Sequence, residues 1–255
     1  MKKFSSFFLV PVLFFLISCD SSREKKEEKI IVQESNMEEE SLKKEISFYY
    51  YDEKNDYPDA IIEMFSPLGN QVFRPGKIPF EFNLKNFPYN EGLTGNQLKL
   101  ILNSGDPVGY NMPIFNRELK EGTYRAVAYL VDKEGLALKE FGNYIDRDFM
   151  VGDTRPFPYS AEPYIVLNLP LNGQTYADSE EITIDFLLLG GDMKLDKLKV
   201  RINIGEFEYD IDEVRPVRIA NLPKGTYNVS VQLLKKDNKP LDGPFSESSK
   251  TIVVQ

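Results

Sequence analysis

The sequence predicts an all-β protein in which two tandem β-sandwiches follow a cleaved leader and a disordered acidic tether. Two observations lead to this prediction. Short runs that alternate apolar and polar residues are separated by Gly, Pro, Asn and Asp roughly every 8 to 12 residues, as in β-sandwiches. The second half of the chain also repeats motifs of the first at a spacing of about a hundred residues, which indicates a duplicated domain.

Four motifs recur in the same order in the two halves. The matching segments are 66–73 with 169–176, 78–82 with 182–186, 98–102 with 198–202, and 119–124 with 222–227. These repeats predict one domain over 60–151 and a second over 163–255. The linker between them, 152–162, is rich in proline, which favours an extended and semi-rigid chain. We therefore expect two sandwiches in series, each with its own core.

The repeated motifs include Pro-Leu-Asn-Gly, Leu-Lys-Val-Arg-Ile and Leu-x-x-Gly-Thr-Tyr. They resemble those of the Ig-like and fibronectin-III-like modules of bacterial surface proteins. The resemblance implies that Tyr124 and Tyr227 are structural residues at the corner of each sandwich. The chain has no Trp and no second cysteine, so it lacks the signature of antibody-type domains. Such sandwiches host many unrelated functions, and the resemblance therefore indicates a fold and not a ligand.

The first 18 residues have the pattern of a secretion signal. Lys2 and Lys3 precede an apolar run over 4–17 that ends before a strongly charged segment. A transmembrane helix needs about 20 apolar residues, so this run is too short to span a bilayer. We expect residues 1–18 to be removed as a signal peptide.

The leader ends in Leu16-Ile17-Ser18-Cys19, and Cys19 is the single cysteine of the chain. These four residues resemble the lipobox of bacterial lipoproteins, and the Phe-rich leader is similar in style to those of spirochaetal lipoproteins. The resemblance implies that Cys19 is acylated, becomes the first residue of the mature chain and anchors it in a lipid bilayer. We expect a location in the cell envelope, with the outer membrane or cell surface favoured over the periplasmic face of the inner membrane.

Charge distinguishes the segment 19–59 from the rest of the chain. Residues 20–59 hold 13 acidic and 7 basic side chains, and the whole chain carries a net charge of −9. A segment with so little apolar surface cannot offset its chain entropy, so we expect 20 to about 45 to be disordered. The negative charge argues against nucleic acid as a partner, because phosphates require a basic surface.

The composition excludes several kinds of chemistry. The chain contains no histidine, which removes Ser-His-Asp and Cys-His nucleophilic catalysis and most zinc sites. The sequence also contains no glycine-rich phosphate loop. We therefore expect no catalytic residue, no metal, no cofactor and no enzyme activity. A hydrolase based on paired carboxylates is a distant alternative.

One candidate binding segment is acidic and lies near residue 210. Strand alternation places Glu206, Glu208, Asp210 and Asp212 on one face and apolar residues on the other. These carboxylates are candidates for binding a cation or a basic partner. The favoured interpretation is an edge strand with a solvated, charged face that discourages further strand pairing. The shorter acidic run at 146–148 is expected to be a solvated strand end.

A second candidate segment is aromatic and includes Tyr49, Tyr50 and Tyr51. Exposed tyrosines can bind sugars or a protein partner, because the ring is apolar and its hydroxyl is polar. The favoured interpretation is that 47–51 packs against the first domain as an extra strand or as a covering segment without strand pairing, while Phe157 and Tyr159 of the linker fill the joint between domains.

The expected function is that of a non-enzymatic, membrane-anchored lipoprotein whose sandwiches bind a protein partner or act as a scaffold. Glycan binding, to peptidoglycan or a host polysaccharide, is the alternative, and it would use the tyrosine-rich segment.

Overall fold

The structure of the protein, a computed structural model, describes residues 45–51, 57–88 and 98–255. The leader, the lipobox, Cys19 and most of the predicted tether lie outside the described residues. The described residues form 17 β-strands and no helix. The fold is therefore all-β, as the sequence predicts, and it consists of two Ig-like β-sandwiches.

The first sandwich is built from eight strands. They are β2 (Ile61–Ser66), β3 (Val72–Phe73), β4 (Gly76–Lys85), β5 (Leu98–Leu102), β6 (Val108–Tyr110), β7 (Ile114–Leu119), β8 (Gly122–Leu130) and β9 (Tyr144–Val151). One sheet has the order β2-β4-β7 and the other has the order β3-β9-β8-β5-β6. All of these pairings are antiparallel except that of β3 with β9.

The second sandwich repeats this plan and adds a strand from the N-terminal side. Its strands are β10 (Tyr164–Leu169), β11 (Gln174–Tyr176), β12 (Ile182–Leu189), β13 (Leu198–Ile204), β14 (Phe207–Ile211), β15 (Val217–Ala220), β16 (Gly225–Lys235) and β17 (Glu247–Val254), with β1 (Ser47–Tyr50) added. The sheets have the orders β1-β15-β12-β10 and β11-β17-β16-β13-β14.

The two sandwiches match strand for strand, because β2 to β9 pair with one another in the same pattern as β10 to β17. The repeated motifs fall at equivalent places: 78–82 lies in β4 and 182–186 in β12, while the two Gly-Thr-Tyr motifs begin β8 and β16. The repeat seen in the sequence is thus a repeat of topology.

Each sandwich closes on a core of its own. Alternate residues of facing strands point inward, so that Phe80 and Phe149 are fully buried in the first sandwich and Ile184 and Val200 in the second. Both cores are continuous across the two sheets of their sandwich. They supply the apolar burial that a chain with no intramolecular disulfide needs.

A third apolar core lies between the sandwiches. The outer face of the five-stranded sheet of the first sandwich contributes Val127 and Tyr129, and the outer face of β10 and β12 contributes Val166 and Leu187. Because these strands are apolar on both faces, their outer faces must also be covered, in addition to the faces that line the sandwich cores. Each sandwich has its own core, as expected, but the two do not simply stand in series, because the third core joins them. The linker, between the end of β9 and the start of β10, spans a packed joint.

The aromatic segment forms β1, and its position differs from the expectation. Ser47–Tyr50 pairs antiparallel with β15 of the second sandwich, so the interpretation that 47–51 packs on the first domain is wrong. This part of the segment 19–59, expected to be tether, is a strand. In this position β1 pairs with the outer backbone groups of β15. Phe48 and Tyr50 also pack against the core of the second sandwich.

Candidate interaction surfaces

The hydroxyl groups of β1 are engaged by carboxylates. Tyr49 donates a hydrogen bond to Glu181, and Tyr51 donates to Oε2 of Glu134 at 2.7 Å. These hydrogen bonds raise the pKa of both tyrosines, because the anionic acceptors favour the protonated phenol. Glu134 lies between β8 and β9, so Tyr51 joins the added strand to the first sandwich.

Cationic side chains cover the rings of the same segment. The guanidinium carbon of Arg218 lies 4.0 Å from the ring centroid of Tyr51, and that of Arg215 lies 4.7 Å from the ring of Tyr50. These are cation–π distances. Phe48 stacks on Tyr209 with centroids 4.9 Å apart. The aromatic segment is thus built into the second sandwich and does not form a bare platform.

The acidic segment is an edge strand whose charges are largely paired. β14 lies at the edge of its sheet, with Glu208 and Asp210 exposed, while Glu206 and Asp212 flank the strand. Asp210 forms a two-point ion pair with Arg201 at 2.8 and 3.0 Å. The described residues contain no group of three or more metal ligands. The structure therefore has the features of the favoured, edge-strand interpretation.

The ion pairs of Asp210 lower the pKa of its carboxyl group. The hydrogen bonds from Arg201 lower the pKa of this carboxyl to about 2, and a second ion pair with Lys199 acts in the same direction. Arg201 also lies 3.1 Å from Glu208. Basic residues of the neighbouring strand β13 thus neutralise the charge that was a candidate for collecting a cation.

Tyr124 and Tyr227 occupy equivalent corners. The hydroxyl of Tyr124 donates to the carbonyl of Lys120 at 3.0 Å, and that of Tyr227 donates to the carbonyl of Pro223 at 2.8 Å. Both rings are half-buried against the cores. Each ring also lies over the glycine that begins its strand, where an added Cβ would stand 3.3 Å from the nearest ring carbon. A side chain in place of either glycine would therefore require the tyrosine ring to shift by a few tenths of an ångström.

The acidic run at 146–148 belongs to the joint between the sandwiches. Asp148 receives two hydrogen bonds from Arg125, each at 2.7 Å, and Asp146 accepts one from the hydroxyl of Tyr164 at 2.8 Å. The expectation of a solvated strand end is wrong, because the partner of Asp146 comes from the second sandwich. Phe157 of the linker fills the joint as expected, whereas Tyr159 is 95% exposed.

Arg125 is held at the joint by rings as well as by charge. Its guanidinium carbon lies 4.7 Å from the ring centroid of Tyr164, 4.9 Å from that of Phe245 and 5.8 Å from that of Phe157. All three rings come from the linker or the second sandwich. The guanidinium of Arg125, in the first sandwich, is thus surrounded by aromatic rings of the linker and the second sandwich.

A buried polar network crosses the joint. Asn168 and Asp185 are fully buried, and Asn168 donates to Oδ2 of Asp185 at 2.6 Å. The first sandwich supplies the hydroxyl of Tyr129, 2.9 Å from Oδ1 of Asn168, and the ammonium of Lys139, 2.9 Å from Oδ1 of Asp185. None of these four residues was predicted from the sequence. The available signal is that Asn168 and Asp185 interrupt apolar runs, which calls for a buried partner.

A cleft of about 410 Å³ opens beside this joint. Lys139 and Tyr144 line it from the first sandwich, while Leu187 and Asp212 line it from the second. Burial raises the pKa of Tyr144, which favours the neutral phenol. Of the four acidic candidates, Asp212 is the one that faces this cleft.

Three exposed apolar side chains lie in and around the connection between β6 and β7 of the first sandwich. Val108, Met112 and Ile114, here called the hairpin patch, are 40%, 57% and 62% exposed. In the second sandwich the equivalent connection, before β15, contains Val214, which packs against the core. Grouped apolar exposure of this kind marks contact surfaces, whereas single exposed apolar residues are ordinary.

Comparison with known proteins gives a likeness of fold and no family. No protein-family model and no curated protein sequence matches the chain. It is similar to the fibronectin(III)-like modules of Clostridium thermocellum CbhA, at 13% identity over 76% of this chain and 94% of that one, with a TM-score of 0.30. It is also similar to three N-terminal domains of the bacteriophage RB49 Highly Immunogenic Outer Capsid protein (Hoc), at 10% identity over 77% and 69%, with a TM-score of 0.23.

Within the part of the chain that the structure describes, no helix has the length and apolar character needed to cross a bilayer.

Proposed function

We propose that this chain is a non-enzymatic lipoprotein of the bacterial cell envelope, whose paired sandwiches bind a protein partner or act as a scaffold. The observation that carries the proposal is the hairpin patch on a rigid body. Three exposed apolar side chains lie within seven residues of one another, and the sandwich that bears them is fixed to its neighbour by the third core. A rigid surface loses little entropy on binding, which favours association.

The lipid anchor is the second part of the proposal. Acylated Cys19 holds the chain in a bilayer, the acidic tether separates the sandwiches from it, and the outer membrane or cell surface is the preferred location. The lipobox supports this part, since its Cys19 is the single cysteine of the chain. The negative net charge disfavours nucleic acid as a partner.

A protein partner is preferred to a glycan because of how the tyrosines are used. A glycan site needs open ring faces, whereas arginine side chains lie over Tyr50 and Tyr51. A binding role is preferred to hydrolysis, because the ion pair of Asp210 with Arg201 makes this carboxylate a poor general base.

Site-specific photo-crosslinking in the native host tests the binding role. A photoreactive phenylalanine replaces Met112 of the hairpin patch, and a matched variant carries it at Leu195, an exposed apolar residue of the second sandwich. We expect a discrete crosslink to a second polypeptide, identified by mass spectrometry, from position 112 and not from 195. Absence of any polypeptide crosslink, together with retention of the chain on insoluble cell-wall glycan, would contradict the proposal.

A further inference from the structure

We infer that β7, an edge strand of the first sandwich, accepts an extended segment of a protein partner as an added antiparallel strand. This inference rests on the proposed function and names how the partner binds. The segment that fits presents a basic side chain and, four residues later, a large apolar side chain on the same face.

The duplication supplies an internal comparison for β7. Ile78 of β4 matches Ile182 of β12 in the repeated motif, and these residues are paired with Arg117 and Ile219 respectively. Arg117 and Ile219 are therefore equivalent positions. The residues just before them, Asn116 of β7 and Arg218 of β15, are equivalent as well. The two strands occupy the same edge of the same sheet in the two sandwiches.

In the second sandwich this edge is occupied. β1 pairs with β15 in an antiparallel register that places Tyr49 opposite Arg218. The backbone N–H of Tyr51 donates to the carbonyl of Pro216 at 2.9 Å, just before β15 begins. The chain itself thus shows that this edge accepts an extended, aromatic segment that arrives from a distant part of the sequence.

In the first sandwich the same edge is open among the residues that the structure describes, where β7 pairs with β4 alone. The N–H of Phe82 donates to the carbonyl of Pro113 at 2.9 Å, which makes residues 82 and 113 a hydrogen-bonded pair. Hydrogen-bonded pairs alternate in antiparallel sheets, so the backbone groups of Ile114, Asn116 and Glu118 point away from β4. They form a row of donors and acceptors suited to an added strand.

The side chains along this row define the partner. Ile114, Asn116 and Glu118 are exposed on one face, and the hairpin patch continues from Ile114. An antiparallel strand brings a basic residue opposite Glu118 and, four residues on, an apolar residue opposite Ile114. The other face of the edge is filled, because Phe115 stacks on Tyr110 with centroids 3.5 Å apart. The apolar residue of the partner therefore contacts Ile114 and not the core.

A peptide from the chain itself is a suitable probe. Residues 43–51 read Lys-Lys-Glu-Ile-Ser-Phe-Tyr-Tyr-Tyr, in which Lys44 and Phe48 have the required spacing. We would measure binding of the fluorescein-labelled peptide to the full chain in detergent micelles by fluorescence anisotropy. Asn116→Pro removes one outward N–H and leaves the hydrogen bonds to β4 in place, so we expect it to weaken binding about tenfold or more.

Matched variants separate strand addition from other causes. Asn116→Ala removes the side chain and keeps the N–H, so we expect it to bind within about twofold of the wild type. Ile114→Asp tests the apolar contact and should weaken binding even if Asn116→Pro proves poorly folded by circular dichroism. Unchanged affinity of the peptide for both Asn116→Pro and Ile114→Asp would overturn the inference. A chain that sediments as a dimer, with a second copy bound at β7, would also overturn it.

The crosslink from position 112 separates this inference from the proposed function. If Asn116→Pro abolishes the crosslink while Asn116→Ala keeps it, the partner binds by strand addition. If the crosslink persists in Asn116→Pro, the partner binds by another mode and the inference fails while the proposed function stands. If the chain with the photoreactive residue at position 112 and no other change gives no polypeptide crosslink and is retained on insoluble cell-wall glycan, the proposed function itself fails.

Discussion

Lys139 of the first sandwich and Asp185 of the second form an ion pair of 2.9 Å across the joint, with the carboxylate fully buried. The second oxygen of Asp185 accepts hydrogen bonds from Asn168 and from the backbone of Ala137, so each carboxylate oxygen has a partner. Such a pair fixes the relative position of the two sheets, because any displacement would leave a buried charge unpaired.

Asp185→Ala should destabilise the chain by about 3 to 5 kcal/mol, because it leaves the ammonium of Lys139 in the joint without its counter-charge. Glu63→Ala is the matched control, since Glu63 pairs with Lys85 at 2.7 Å on an exposed sheet face. The control should cost much less than Asp185→Ala, because solvent screens an exposed ion pair. Urea denaturation of both variants measures the difference, and equal costs would show that the joint does not depend on this pair.

Tyr227→Ala should cost about 2 to 4 kcal/mol in free energy of unfolding, somewhat below the value for a fully buried ring, since this ring is half-buried. Tyr227→Phe should cost only about 0.5 to 1.5 kcal/mol, the net contribution of the hydrogen bond to Pro223. The same two changes at Tyr124 should give the same ranking. Thermal denaturation of the variants measures these costs. Unchanged melting temperatures in both alanine variants would show that the two tyrosines do not stabilise the corners of the sandwiches.

Stability should fall below about pH 4 in part through Asp210. The folded-state pKa of about 2 lies below the ordinary value of 3.8 for this side chain, so the stabilisation is complete above the unfolded pKa and is lost as the pH falls toward 2. The side chain is 35% exposed, so screening limits the effect to about 1 kcal/mol. Asp210→Asn should show a shallower loss of stability than the wild type between pH 4.5 and about 2 in urea titrations. Parallel curves would contradict this.

Cys19→Ala should abolish metabolic labelling with palmitate and leave the leader uncleaved by the lipoprotein peptidase. In the proposed lipobox the thiol of Cys19 is the group to be acylated, and the sequence has no other cysteine that could replace it. Labelling of the host protein with an alkyne palmitate analogue measures the effect, with Ser22→Ala as a control that keeps the lipobox. A labelled Cys19→Ala protein would show that the lipobox interpretation is wrong.

Local patterns predicted the fold of each sandwich well. Alternation and turn residues are set by neighbours in sequence, so the motifs at 78–82 and 182–186 identified equivalent strands. The alternation around Asp210 likewise predicted an exposed edge strand. These features depend on chain geometry alone, which a sequence records directly.

Contacts between distant segments could not be predicted in the same way. The pairing of Tyr49 with Arg218 joins residues that are far apart in the chain, and no local pattern selects β15 over an edge of the first sandwich. The third core had a visible signal, because β10 and β12 are buried on both faces. Such strands call for cover on each side, and the polar residues within them, Asn168 and Asp185, indicate that the cover is specific.

Scanning calorimetry of the whole chain tests most directly whether the two sandwiches act as one body. The third core and the buried pair of Lys139 with Asp185 couple their unfolding, so we expect a single transition. Fragments 60–151 and 163–255 should each melt well below that temperature, since each exposes one face of the third core and the second also lacks β1. Two separate transitions in the whole chain, at the melting temperatures of the isolated fragments, would contradict the account.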